Sequence, residues 1–163
     1  MAGRANFSDE EWNLIRVAPM LVASGVSISD PSGLIGTAKE AYYGMTTMME
    51  SYKQSGQLEL INALLADKNM PSVPDQAAML GEGSKEQQVS NLKNAVLGKV
   101  RDALALVSSK ASPEEFTVYK QMIAKVAEET ANASKEGGFL GFGGERVSAG
   151  EQAFVDQVKS LLA

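Results

Sequence analysis

The sequence predicts an all-α fold, a single bundle of about five helices, and three observations carry that prediction. Helix-capping signals recur along the chain, apolar residues return every three or four positions, and no window alternates as a strand would between turns. A length of 163 residues suits one domain with a continuous core. A hydrophobic fraction of 44% and a charged fraction of 21% are those of a globular chain, not a disordered one.

The first helix is expected over 8–25. Ser8 and Glu11 form a capping box: the serine hydroxyl takes an orphan backbone N–H and the glutamate reaches back to the cap. The most apolar window, Leu14 to Ile28, follows. It is 15 residues long and interrupted by Arg16, Pro19 and Gly25, too short and too broken to cross a bilayer. Pro19 removes a backbone hydrogen bond inside this helix and should kink it. A second helical stretch is expected over 37–66, with a break near Gly56. Residues 66–83 then form a long connection containing Pro71, Pro74, Gly81 and Gly83, with a short helical turn at 75–80. That connection lacks the low complexity of a flexible linker, since Met70, Val73, Met79 and Leu80 could pack onto the bundle.

Ser84 and Gln87 open a helix over 84–109, whose apolar face steps through Val89, Leu92, Val96, Val100, Ala103 and Val107. Ser112 and Glu115 cap the next helix, 112–134, with Pro113 at the first helical position, where a missing N–H costs nothing. Its predicted face is Phe116, Tyr119, Ile123, Val126, Thr130 and Ala133. Ser148 and Glu151 cap a last helix, 148–162.

The two halves resemble each other. Ser8 to Trp12 answers to Ser112 to Phe116, with Trp12 and Phe116 as equivalent core anchors, and Ser32–Gly36 answers to Gly137–Gly141. The expected architecture is therefore two duplicated helix–Gly-connection–helix units, 8–66 and 112–163, joined through 67–111. The plainer account is that bundles reuse caps and glycines.

Composition excludes much chemistry. There is no histidine and no cysteine, so Ser–His–Asp and Cys–His catalysis, zinc–thiolate sites and disulfides cannot be built. No catalytic, cofactor-binding or metal-ligating set is identified, and no cofactor is expected. A net charge of −5 without a Lys/Arg cluster disfavours nucleic acid and anionic membranes as partners. Acids at 9, 10 and 11 argue against a signal peptide, and a cytoplasmic location is expected. The adjacent pairs Glu10/Glu11, Glu114/Glu115 and Glu128/Glu129 point about 100° apart on a helix and read as caps and dipole partners rather than catalysts.

Two candidate sites remain. The stretch Glu136 to Phe154 packs five glycines into residues 137–144 around Phe139, Leu140 and Phe142. It lacks the strand that a dinucleotide loop needs and the Lys-Ser/Thr ending of a P-loop. The reading favoured is a chain reversal in which the aromatics plug the bundle and Gly141 and Gly143 supply unusual backbone angles. The alternative is ligand or partner recognition by Phe139, Leu140, Gly141, Phe142 and Gly143. The second candidate is the region of Tyr42, Tyr43 and Met45, with Met48, Met49 and Tyr52. A methionine-rich stripe there is core or a binding face. The run Gly137 to Ser148, followed by Glu151 and an apolar helix, resembles the tail of small uncharacterised bacterial all-helical proteins. That resemblance implies a bacterial cytosolic origin and a helical fold, and brings no catalytic residues. The function expected is a non-catalytic protein-interaction or binding module, with a partner protein or a second copy. The alternative is a small-molecule receptor or enzyme using Lys39, Glu40, Tyr42 and Tyr43 beside the Ser32–Gly36 connection.

Overall fold

The computed structural model describes residues 2–29, 58–136 and 147–163, with the side chains of 133–136 excepted. Among them are six helices and no strand: α1 (Asp9–Ile28), α2 (Glu59–Ala66), α3 (Gln76–Leu80), α4 (Lys85–Lys110), α5 (Pro113–Glu136) and α6 (Ala149–Leu162). The fold is all-α. A 3-10 turn at Arg4–Asn6 precedes α1.

Each predicted capping box forms. The hydroxyls of Ser8, Ser84, Ser112 and Ser148 accept from the N–H groups of Glu11, Gln87, Glu115 and Glu151, and those side chains accept from the serine N–H in return. The short turn expected near 75–80 is α3, opened by the Asp75 side chain, which accepts from Ala77 N–H at 3.0 Å. Of the stretch expected over 37–66, Glu59–Ala66 is helical after Leu58, and residues 37–57 lie outside the described residues.

α1 is the axis of the bundle. It packs against α4, α5 and α6, while α2 rests on α5 and on the 3-10 turn, and α3 on α4. From Ile15 to Ala23 every residue of α1 is buried. A helix that is apolar all round must be enclosed. The apolar window too short for a membrane is a core helix. No helix among the described residues is long and apolar enough to cross a bilayer.

The three residues that interrupt this window each dock a different element. Arg16 binds the chain just beyond α2. Pro19 lies inside a helix that continues to Ile28. Lacking an N–H, it leaves the carbonyl of Ile15 without its intrahelical donor. The Tyr119 hydroxyl of α5 donates to that carbonyl at 2.8 Å, and both residues are fully buried. Gly25 seats the ring of Phe154 from α6: a Cβ there would lie 2.4 Å from the ring carbons. Near the same end, a Cβ on Gly150 would lie 2.5 Å from the carbonyl oxygen of Ser29, so small residues set how closely α6 approaches α1.

The face of α4 is close to that predicted, with Leu92, Val96, Val100, Ala103, Leu104 and Val107 buried. The face of α5 keeps Tyr119, Ile123 and Val126 of its prediction but not Phe116 and Thr130. Glu115, Tyr119, Met122, Ile123, Val126, Ala127 and Ala131 are buried, whereas Phe116 and Thr130 lie at its margin. Phe116 is thus no equivalent of Trp12, which is 3% exposed. Phe116 is half-buried beneath the Lys120 ammonium, 5.0 Å from its ring. Tyr119, one turn later, is the anchor, because the orphaned Ile15 carbonyl needs a hydroxyl that phenylalanine lacks.

Candidate functional site

The polar groups of α1 converge on the connection that follows α2. Trp12, Asn13 and Arg16 occupy the first two turns of α1, and Asp67 caps the C-terminus of α2. Asp67 Oδ2 accepts from the Trp12 indole Nε1 at 2.9 Å and pairs with Arg16 Nη1 at 3.1 Å. Asp67 Oδ1 accepts from Asn69 N–H at 3.1 Å. Arg16 Nη2 donates to the carbonyls of Asp67 and Asn69. Asn13 then grips Ser72 with both ends of its amide, accepting from Ser72 N–H at 2.7 Å and donating to Ser72 O at 2.8 Å. Burial by itself raises the Asp67 carboxyl. The hydrogen bonds from Trp12 and Asn69 together with the Arg16 charge outweigh that and hold it below its ordinary range.

Proline chemistry shapes what this clamp presents. Met70 and Val73 each precede a proline, which biases both toward extended backbone. Pro71 is buried, and no regular element occurs from Met70 to Asp75. Met70 is 51% exposed and Val73 38% exposed, the large apolar side chains that face solvent among the described residues. The sequence allows both to pack onto the bundle. Met79 and Leu80 do so, because α3 is held to α4 by Asn91 Nδ2 donating to Leu80 O at 2.9 Å and Gln88 Nε2 to Gly81 O at 3.3 Å. Met70 and Val73 do not, because Asn13 and Arg16 fix the backbone with these side chains outward.

A second node is built on Glu115, which is fully buried. Its Oε2 accepts from Ser112 N–H at 2.8 Å and its Oε1 from Leu60 N–H at 2.9 Å. Leu58, the N-cap of α2, offers no capping side chain, so α5 supplies the cap from outside. Burial raises this carboxyl, but backbone N–H donors of Leu60, Ser112 and Ala2 prevail and lower it. Glu11 is likewise lowered, chiefly by the Lys110 ammonium, which donates to its Oε2 at 2.5 Å and to Asn6 O at 3.1 Å.

These acids do structural work. A general acid near neutral pH needs a raised carboxyl, and Asp67, Glu115 and Glu11 are all depressed, so they stay ionised as acceptors. Burial pushes the Tyr119 phenol up and its proton is committed to Ile15 O. Among the described residues no buried side-chain nitrogen or oxygen lacks a partner, and no cluster of three acids could hold a metal ion. No known protein family, curated protein or solved structure matches the chain.

The residues singled out from the sequence, Phe139, Leu140, Gly141, Phe142, Gly143, Tyr42, Tyr43 and Met45, lie outside the described residues, as do Lys39, Glu40 and the two glycine connections of the expected duplication. The clamp was missed, although one signal for it is legible: an arginine inside an apolar helix must find an acid or carbonyls. One consequence is measurable. Asn13→Ala should lower stability by about 1 kcal/mol and raise the hydrogen-exchange rate of the Ser72 amide selectively. Unchanged exchange at Ser72 would show that Asn13 does not hold the connection.

Proposed function

We propose that the chain is a non-catalytic protein-interaction module whose contact edge is the clamped connection at Lys68–Asp75. The observation that supports this reading is the outward placement of Met70 and Val73 on a backbone immobilised by Arg16, Asn13 and Asp67. An apolar edge whose conformation is already set loses little entropy when a partner covers it. Asp67, beside this edge, is an ionised acceptor committed to Trp12, Arg16 and Asn69. The net charge of −5 favours a protein over nucleic acid as partner.

The test is site-specific photocrosslinking from Ser72, which is exposed within the edge between Met70 and Val73. A discrete adduct is expected in cells, and it should vanish in Met70→Ser/Val73→Ser with no fall in Tm, since neither side chain belongs to the core. An adduct indifferent to that double substitution, or none at all, overturns the reading. An adduct with a second copy of the chain would identify a homo-oligomer as the partner.

A further inference from the structure

We propose that Met70 is an oxidation site whose sulfoxide switches off the edge just described, an inference that rests on that reading and adds its regulation. The chain has no cysteine, so thioethers are its only sulfur. Among the described methionines Met70 is 51% exposed, Met79 is half-buried, and Met20 and Met122 are 2% and 1% exposed. Hydrogen peroxide therefore meets Met70 before Met79, Met20 and Met122. The sulfur lone pair attacks the terminal peroxide oxygen, the S–O bond forms and the O–O bond breaks. The departing hydroxide takes up the remaining proton as water. Sulfur is oxidised by two electrons and the peroxide is reduced by two. An apolar, flexible side chain becomes a polar hydrogen-bond acceptor at the centre of the apolar edge.

The placement makes this change separable from folding. None of the clamp's hydrogen bonds uses the Met70 side chain, since Arg16 and Asn13 bind backbone and carboxylate atoms of Asp67, Asn69 and Ser72. Oxidation of Met20 or Met122 would instead force a polar group into the core. Methionine sulfoxide reductases with a thiol reductant reverse the reaction, so the edge is a reversible element.

The experiment treats the folded chain with limiting hydrogen peroxide and maps sulfoxides by peptide mass spectrometry. Conversion of Met70 ahead of Met79 is expected, with Met20 and Met122 protected and Tm unchanged. The Ser72 photoadduct should be lost on oxidation and restored by the reductases. Met70→Leu, which keeps the bulk without the sulfur, should form the adduct and be insensitive to peroxide. Equal oxidation of Met20 or Met122, a Tm that falls with Met70 oxidation, or a Met70→Leu protein still silenced by peroxide overturns the proposal. Absence of an adduct from the reduced protein removes the interaction itself, whereas an adduct undiminished by oxidation removes only the switch.

Discussion

Tyr119→Phe is expected to destabilise the protein by about 1–3 kcal/mol, and to cost much less in a Pro19→Ala background. The phenol proton is donated to the Ile15 carbonyl at 2.8 Å in a fully buried setting. Removing it leaves a buried acceptor that can reach neither water nor the chain's own N–H, because position 19 is proline. Alanine at 19 restores that N–H four residues on. The tyrosine hydroxyl then has a competitor, and its removal orphans nothing. Pro19→Ala alone also changes packing, so neither single value decides the matter. The coupling from a double-mutant cycle does, and it should lie within about 0.5–3 kcal/mol by urea denaturation. Equal losses on Tyr119→Phe in both backgrounds would show that the hydroxyl serves something other than the proline gap.

This pair also shows how far the sequence could be read. That Pro19 frees a carbonyl follows from local chemistry, but the donor lies 100 positions away on another helix, and spacing alone does not reveal it. Capping boxes are legible because both partners fall within four residues. The face of α4 is legible because its buried positions are all apolar. The face of α5 is legible only in part: Tyr119, Ile123 and Val126 follow the pattern, but the inward Glu115 is a polar group serving α2, and a hydrophobic pattern passes over it. The caps Ser8–Glu11 and Ser112–Glu115 are alike, but their glutamates take different surroundings. Glu11 turns to Lys110 near the surface, and Glu115 enters the core. The outward Met70 and Val73 were hidden by the opposite rule: apolar residues are expected inside, and only the Asn13 and Arg16 contacts put these two outside.

Glu115→Ala should be among the most damaging single substitutions, at about 3 kcal/mol or more. It orphans the backbone N–H groups of Leu60 and Ser112, and takes away a partner of Ala2, at about 1–3 kcal/mol for each buried donor left unpaired. It also leaves α2, which has no cap of its own, unsupported at its N-terminus. Glu115→Gln keeps one acceptor oxygen but places an amide N–H₂ where another donor already points, so it should fall between alanine and wild type. The pH dependence separates charge from shape. Glu115 is depressed in the folded state, so its stabilisation is complete above the unfolded glutamate value of about 4.3 and is lost as pH falls through the lower folded value. Asp67 and Glu11 are depressed in the same direction and add to the same acid limb. With no histidine in the chain, ordinary side-chain values leave stability flat from about pH 5 to 8. Thermal melts from pH 2 to 8 should therefore show a plateau and then an acid fall. That fall should be shallower in Glu115→Gln, because the variant has no proton to gain there. A wild-type acid limb retained in full by Glu115→Gln would mean that the Glu115 carboxylate does not carry its charge in the folded core.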